Sequence, residues 1–362
     1  MGVNRTRGVA PVIPAKAGIS SGVRASLVGA LPAPLALWER ATRFSAWVRA
    51  ARCRGVPCGR LAWSPRPLGE GGRAAAGEGG RIVNTRRGAR SMPDDPQTPE
   101  YTMGYSEEFL QMLHRRSAQS HAAYLLPHLK PGMRLLDFGC GPGTISVGLA
   151  RAVEPGELHG VDLEESQVLM ARAAAEAGGH ANATFHVGDV TALPFEDDSF
   201  DVAHCHAVLM HVPDTKAVLA EVKRVLKPGG MIASRETIIA SSFLEPDYRA
   251  SDAWVTFANL VSANGGHPQM GKELKAVFIE AGFTGVRAGA SFEFFGSAED
   301  VAFFHSFAGG WFLSPEVIEK ATTYGVATHE EFETAREALD RWKADPGAVG
   351  AICFGEAVAF KP

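Results

Sequence analysis

The sequence predicts an α/β fold in which a mostly parallel sheet carries helices on both faces. Between residues 134 and 236, short apolar segments typical of strands alternate with longer helical segments, which is the order of βαβ units. The first strand runs directly into a glycine-rich loop, LLDFGCGPGT at residues 135–144, and a helix follows. Leu135, Leu136 and Phe138 suit a strand that is buried on both of its faces.

The glycine-rich loop is typical of sites that bind nucleotides or adenosine-like groups. Glycine permits a tight turn and a close approach of the backbone to a ligand. The dinucleotide fingerprint G-x-G-x-x-G would need glycine at position 144, where this chain has Thr144, and the third glycine is instead Gly143. The chain also lacks the phosphate-binding sequence G-x-x-x-x-G-K-[ST]. The spacing therefore disfavours both of these ligand classes.

The acidic-x-Gly-x-Gly-x-Gly pattern of Asp137, Gly139, Gly141 and Gly143 resembles motif I of the class I S-adenosylmethionine-dependent methyltransferases. Later segments resemble the other motifs of this family in the same order, and each is predicted to be a strand or the turn into one: 158–163, 184–187, 200–206 and 225–230. The resemblance implies a Rossmann-like seven-stranded sheet, mostly parallel with an antiparallel last strand, with helices on both faces and a helical insertion or cap. It also implies S-adenosyl-L-methionine as the cofactor.

The resemblance assigns cofactor contacts by position. Asp162, at the end of the second strand, would accept hydrogen bonds from the ribose hydroxyls, and Leu163 would pack on the adenine. Asp189 and Val190 would hold the adenine amino group and ring. In the alternative interpretation, the two aspartates have structural roles only, with Asp162 as a helix N-cap and Asp189 as a turn residue. The predicted cofactor-binding set is Asp137, Gly139, Cys140, Gly141, Gly143, Asp162, Leu163, Asp189, Val190 and His206.

Catalysis by in-line displacement requires mainly that the acceptor and the methyl group are aligned, and a base is needed only when the acceptor carries a proton of high pKa. The candidate bases are His206 and His211, at and after the end of the fourth strand, and His267 in a later turn. Each of them would otherwise be a packed, hydrogen-bonded histidine. On the leading helices, Arg115, Arg116 and His121 are candidates for contacts with the methionine carboxylate or the substrate, or else they lie on a solvated face.

Beyond the fifth strand, the chain departs from the minimal fold, and we expect acceptor specificity to lie there. The predicted elements are an inserted helix, a second helix, a sixth strand, an aromatic-rich helical region and a final strand, at 246–263, 272–281, up to about 295, 299–345 and 351–360. About 130 residues resemble the ubiquinone/menaquinone biosynthesis C-methyltransferases, but the aromatic C-terminal region does not. A quinone precursor is therefore one candidate acceptor among several. The aromatic residues at 292–312 would line its pocket or form ordinary core.

Charge divides the chain into two parts. Residues 1–90 contain 16 Lys and Arg against 3 Asp and Glu, a net charge of +13, which leaves 20 against 37, or −17, for the remainder. We predict a disordered basic segment at 1–98 and a methyltransferase domain at 99–362, with a cofactor-binding core at about 130–240, substrate and cap elements at about 241–345 and a final strand at about 349–361. A mis-assigned start, a transit peptide and a nucleic-acid-binding tail are alternative explanations of the basic segment.

The sequence thus predicts an enzyme that methylates a small, partly apolar acceptor on oxygen, carbon or nitrogen. The acidic folded part disfavours nucleic acid as a partner, and no apolar run is long enough for a transmembrane segment. The five cysteines show no spacing typical of disulfides or of a metal site, so a cytoplasmic location is expected. Two alternatives remain: a catalytically silent S-adenosylmethionine-binding protein, and a nicotinamide-dependent oxidoreductase, which would share the βαβ unit and Asp162 but conflicts with the glycine spacing.

Overall fold

The computed structural model of the protein describes residues 106–362, so the basic segment predicted at 1–98 lies outside the described residues. The α-helices are α1 Glu107–His114, α2 Ala118–His121, α3 Ser146–Val153, α4 Glu165–Gly178, α5 Thr215–Val225, α6 Asp252–Ala263, α7 Met270–Glu280, α8 Ala298–Phe307, α9 Pro315–Thr323 and α10 His329–Ala344. The strands are β1 Leu135–Phe138, β2 Leu158–Asp162, β3 Ala183–Val187, β4 Phe200–His206, β5 Leu226–Thr237, β6 Phe243–Glu245, β7 Thr284–Phe295 and β8 Val349–Phe360.

These strands form one mixed sheet in the order β3-β2-β1-β4-β5-β8-β6, and β7 also pairs with β8. The first five strands are parallel, and β8 is antiparallel to β5, β6 and β7. The predicted architecture is confirmed, but the number of strands is wrong, because the described part of the sheet has eight strands rather than seven. The additional strand is β6, which pairs with Val349–Ala351 of β8. Three residues are too few to show the alternating pattern by which a strand is recognised in a sequence.

Helices cover both faces of the sheet, and each face has its own hydrophobic cluster. On one face, α3 and α4 bury Leu149 and Val168, and on the other, α5 and α7 bury Val222 and Phe278. All four residues of β1 are buried, as expected for a central parallel strand covered on both faces. The carboxyl ends of the parallel strands therefore form the accessible edge of the core, which is where ligands bind in sheets of this type.

A helical cap follows β5. The inserted helix predicted from residue 246 begins later, because a 3-10 turn at Tyr248–Ser251 precedes α6. The helical region predicted at 299–345 is divided into α8, a π-helix at Ala308–Phe312, α9 and α10. Side-chain caps at Ser314 and Thr328 start α9 and α10 as separate helices. At the start of the chain's described part, α1 packs on this cap, where the rings of Phe109 and Trp311 lie 6.0 Å apart.

Candidate active site

The loop after β1 lies between two other elements, and its glycines differ in what surrounds them. Gly139, Gly141 and Gly143 all have positive φ angles, of 72°, 53° and 78°. A Cβ atom at Gly139 would lie 2.3 Å from Cγ2 of Val208, and one at Gly143 would lie 2.8 Å from Cβ of Ala171. A Cβ atom at Gly141 would have no heavy atom of residues 106–362 within 4 Å, its own neighbours apart. The first and third glycines thus allow the loop to pack, and Gly141 faces open space.

Asp162 stands beside this open space. Its Oδ2 accepts a hydrogen bond of 2.8 Å from the backbone N–H of Gly141, and its Oδ1 accepts one of 3.1 Å from Glu164. Burial raises the pKa of Asp162 above its usual value, and the two backbone donors act against that rise. A carboxylate offers about four acceptor positions, so Asp162 can accept further hydrogen bonds from a ligand. The neighbouring Leu163 exposes 69% of its surface, which leaves its apolar side chain available for a flat ring.

The other predicted cofactor residues take different environments. Asp189 is exposed after β3, and its Oδ1 accepts hydrogen bonds from the backbone N–H and the hydroxyl of Thr191, while Val190 is half-buried against the core. The Cys140 side chain is buried in the core, and burial raises the pKa of its thiol well above the usual value. Cys140 can therefore contact a ligand in the cleft only through its backbone.

Asp137 lies beneath the loop, with 2% of its surface exposed. Its Oδ1 is 2.8 Å from Nδ1 of His204, and its Oδ2 accepts a hydrogen bond from the Ser146 hydroxyl. His204 is fully buried on β4, and Ser146 begins α3. Asp137 thus connects β1 to the neighbouring strand β4 and to α3, the helix that follows the loop. The sequence pattern did not indicate His204, because a histidine inside an apolar strand gives no sign of its partner.

The segment after β4 is held by Glu236, a residue that the sequence interpretation missed. Glu236 is completely buried near the end of β5, and its two carboxylate oxygens accept hydrogen bonds of 3.0–3.1 Å from the backbone N–H groups of residues 208, 209 and 210. Burial raises the pKa of Glu236, and these backbone donors oppose that rise. Ala207, where the segment begins, has a φ of 53°. A charged residue within the apolar run MIASRETII was the available signal for this role.

A cavity of about 50 Å³ lies at the carboxyl ends of β4 and β5, beneath α1, α6 and the π-helix. Six aromatic side chains contribute to its wall: Phe109, Trp254, Phe257, Phe307, Trp311 and Phe354. Its polar lining includes Arg116, His211 and Thr237, and the Thr237 hydroxyl is 2.9 Å from the sulfur of Met210. On a scale at which one water needs roughly 10–15 Å³, the cavity would hold only a few waters, so a larger ligand requires the cap to move.

The three candidate histidines lie in three different environments in the structure. His211 lines the cavity, and burial together with the charge of Arg116 lowers its pKa to about 3. His206 is buried beside the cavity wall, with its ring centroid 5.4 Å from that of Phe354, and burial lowers its pKa well below the usual value. His267 lies outside the residues that line the cavity, and its backbone N–H donates to the Met210 carbonyl over 2.7 Å.

The three candidate residues on the leading helices also lie in different environments. Arg115 forms an exposed ion pair of 2.7 Å with Asp300 of α8. Arg116 lines the cavity, whereas His121 is buried, with its Nε2 3.4 Å from Glu293. Burial lowers the pKa of His121. Arg116 thus lies at the cavity, His121 lies beside His206 with ring centroids 5.2 Å apart, and Arg115 instead connects α1 to the cap.

Comparisons with known proteins agree with this geometry. A family model described as a methyltransferase domain matches residues 129–282. An uncharacterised methyltransferase of Schizosaccharomyces pombe is 32% identical over 213 residues, which cover 57% of this chain and 70% of that protein. A probable methyltransferase of Aspergillus luteorubrus is 36% identical over 156 residues, or 41% of this chain and 55% of that protein. The demethylmenaquinone methyltransferase of Bacillus velezensis is 29% identical over 198 residues, or 51% and 78%.

A glycine-rich loop after the first strand, an acidic residue at the end of β2 and a ligand position at the carboxyl ends of parallel strands are typical of proteins that bind an adenosine-type cofactor. The chain belongs to the class I S-adenosylmethionine-dependent methyltransferases, and its cofactor is S-adenosylmethionine. Within residues 106–362, no helix has the length and apolar character needed to cross a membrane.

Proposed function

We propose that this methyltransferase modifies a small acceptor that has a planar aromatic ring and an oxygen substituent, on oxygen or carbon. The observation that carries the proposal is the cavity at the carboxyl ends of β4 and β5, whose wall combines six aromatic rings with Arg116 and His211. Flat aromatic walls favour a flat ligand, and few polar groups are enough to orient it. A relative named for demethylmenaquinone supports testing quinol rings among the first acceptors.

The residues at the sheet edge suit S-adenosylmethionine. Asp162 presents a partly buried carboxylate for two ribose hydroxyls, Leu163 presents an exposed apolar side chain for the adenine, and Asp189 with Val190 would hold the adenine edge. The open space at Gly141 would admit the ligand to the loop backbone. We assign Gly139, Gly143 and Asp137 to the support of this loop, because their surroundings are protein atoms. When bound, the cofactor supplies a methyl group already activated by its sulfonium sulfur.

His211 is better suited to orient the acceptor than to deprotonate it. With a pKa of about 3, its imidazole is neutral at physiological pH and accepts a hydrogen bond from an acceptor hydroxyl. Full proton transfer from a phenol of pKa about 10 to this imidazole would be unfavourable by about 9 kcal/mol. The positive charge of Arg116 in the same cavity instead favours the oxyanion form of the acceptor.

The first test is calorimetric titration of the full chain with S-adenosylmethionine, S-adenosylhomocysteine and NADH. We expect the first two to bind and NADH not to bind. Asp162→Asn should weaken binding of both by about 1.5–3 kcal/mol, the usual effect of losing hydrogen bonds to a charged group. The matched control is Asp340→Asn, because Asp340 is an exposed aspartate on α10. Binding of NADH alone, or an unchanged affinity in Asp162→Asn, would contradict the cofactor assignment.

The second test measures transfer of a labelled methyl group to acceptors with and without aromatic rings, such as 1,4-naphthalenediol, catechol and cyclohexanol. We expect methylation of the aromatic hydroxyl compounds and none of cyclohexanol. Bound cofactor without transfer to any aromatic compound would favour the catalytically silent alternative.

A further inference from the structure

A buried polar cluster adjoins the aromatic cavity and is not used by the function proposed above. It consists of Tyr124, His206 and Arg235, with the carboxylates of Glu293 and Glu356 at its margin, and Arg235 interacts electrostatically with the other four groups. Arg235 is 2% exposed and His206 is 7% exposed, so both lie in the protein interior. Burying groups of this polarity is costly unless they have hydrogen-bond partners.

Several polar atoms of this cluster have no hydrogen-bond partner within residues 106–362. They are both ring nitrogens of His206, Nη1 of Arg235 and the hydroxyl oxygen of Tyr124. Unpaired buried polar atoms are rare in proteins, and their concentration at one place indicates a site that a polar ligand or ordered water completes. Arg235 can only donate, since a guanidinium carries no acceptor, and the neutral phenol of Tyr124 can donate its O–H.

The carboxylates at the margin are already occupied. Oε1 of Glu356 accepts from the Ser291 hydroxyl and from Nε of Arg235, the latter over 3.2 Å. Glu293 lies 3.4 Å from Nε2 of His121. Burial lowers the pKa of Arg235 to about 10, so its guanidinium remains charged at neutral pH. The groups left without partners are therefore mainly donors beside a positive charge.

The cluster and the cavity share the ring of Phe354. This ring lines the cavity, Cζ of Arg235 lies 3.6 Å from its centroid, and the His206 ring centroid is 5.4 Å away. Arg116, which lines the cavity, also acts electrostatically on His206. A ligand ring in the cavity would thus lie next to a donor-rich site that borders the same phenylalanine side chain.

We propose that this cluster is a subsite for a carboxylate of the acceptor, so that the acceptor is an aromatic ring that bears both an oxygen substituent and a carboxylate. The inference rests on the proposed function, because it places the ring of the acceptor in the cavity. A carboxylate matches the unpaired donors of Arg235 and Tyr124, and charge-assisted hydrogen bonds between a guanidinium and a carboxylate are among the strongest in proteins. The methionine carboxylate of the cofactor has the same chemistry and is distinguished by the experiment.

The experiment compares 2-naphthoate with its neutral isostere 2-naphthamide as probes. Binding of each to the full chain is measured by equilibrium dialysis at saturating S-adenosylhomocysteine, whose own affinity is measured by calorimetry. We expect naphthoate to bind at least tenfold more tightly than naphthamide. Tyr124→Phe, which removes one buried hydroxyl and no volume, should reduce that preference about tenfold and leave the affinity for S-adenosylhomocysteine unchanged. The control Tyr324→Phe, which alters an exposed tyrosine, should change neither quantity.

Equal binding of the two probes, binding of neither, or an unchanged preference in Tyr124→Phe together with an unchanged affinity for S-adenosylhomocysteine would show that the cluster holds water only, and would overturn the subsite. A loss of S-adenosylhomocysteine affinity in Tyr124→Phe without a loss of naphthoate preference would assign the subsite to the cofactor and overturn the acceptor assignment. The proposed function would stand in these cases if 1,4-naphthalenediol is still methylated. Failure of the parent protein to bind S-adenosylhomocysteine and to methylate any aromatic acceptor would overturn both proposals.

Discussion

The Val208 side chain occupies the position that a side chain at Gly139 would need, with only 2.3 Å between Val208 Cγ2 and a Cβ atom built on Gly139. The loop after β1 and the segment after β4 are therefore in direct contact. The first carries the predicted cofactor contacts, and the second leads to Met210 and His211 in the cavity wall. This contact holds the loop with the predicted cofactor residues next to the segment that lines the cavity.

Gly139→Ala should destabilise the protein by more than the conformational cost of its positive φ, which is about 1–2 kcal/mol for an L-residue. The clash with Val208 adds to that cost. Val208→Ala in the same chain should recover the part due to the clash, which urea unfolding of the four proteins of a double-mutant cycle would measure. Gly132→Ala is the control, because Gly132 has a φ of 88° and a Cβ there would meet no heavy atom of the described chain within 4 Å. Additive effects of the two substitutions would contradict the contact.

Gly141→Ala should weaken cofactor binding in addition to the backbone cost that it imposes on folding. A Cβ at Gly141 would meet no atom of the described chain within 4 Å, so the folded protein bears only the cost of the φ of 53°, about 1–2 kcal/mol. If the cofactor occupies the open space, the added methyl group collides with it. We expect at least a tenfold weaker affinity for S-adenosylhomocysteine in calorimetry, with the unfolding free energy measured in parallel. An unchanged affinity would place the ligand elsewhere.

Because burial keeps His211 neutral in the folded protein, we expect the protein to be less stable in mild acid. Its pKa is about 3 in the folded protein, below the usual 6.5, so the unfolded chain binds the proton more tightly. Stability is therefore complete above about pH 6.5 and decreases as the pH falls towards 3. At pH 5 this single group should account for about 2 kcal/mol. Urea unfolding at pH 7.5 and pH 5.0 should show a smaller pH effect in His211→Gln than in the parent.

His329→Gln is the control for that comparison, because His329 is exposed at the start of α10. It should retain the full difference between the two pH values. An identical pH dependence in His211→Gln and the parent would show that His211 is accessible to protons in the folded state, and would reopen its assignment as a general base.

Glu236→Ala should disrupt the segment after β4. The substitution leaves the backbone N–H groups of residues 208–210 without the carboxylate that accepts their hydrogen bonds. Each unsatisfied buried donor costs about 1–3 kcal/mol, so we expect a loss of at least about 3 kcal/mol. Glu236→Gln keeps one acceptor oxygen and should lose less stability, but its methyl-transfer rate should fall because the segment borders the cavity. The exposed Glu333→Gln on α10 is the control for both measurements.

Unfolding in urea and the methyl-transfer rate at saturating cofactor test this role of Glu236. An unfolding free energy of Glu236→Ala within about 0.5 kcal/mol of the parent, the range of ordinary surface substitutions, would show that the segment does not depend on the carboxylate.

The sequence alone determined the order of the elements and the family. An apolar run such as β1 indicates a strand that is buried on both faces. Glycines at fixed spacing indicate a backbone that turns tightly and can admit a ligand. Both features can be recognised from neighbouring residues in the sequence. The same local signals placed Asp162 at the end of β2. They could not show the three-residue β6, because its pairing with β8 joins segments more than 100 residues apart.

Tertiary structure decided the environment of each polar side chain. His206, His211 and His267 were all candidate bases in the sequence, but folding buries His206 beside Phe354, places His211 in the cavity and leaves His267 outside it. The sequence shows Glu236 only as a charged residue, and its role depends on the hydrogen bonds that it accepts from the segment after β4. Hydrogen-bond partners and desolvation come from residues far away along the chain, and a linear pattern does not contain them. The sequence therefore determined which cofactor the protein uses, and only the packing of the cap on the sheet decided the shape and lining of the cavity in which we propose that the acceptor binds.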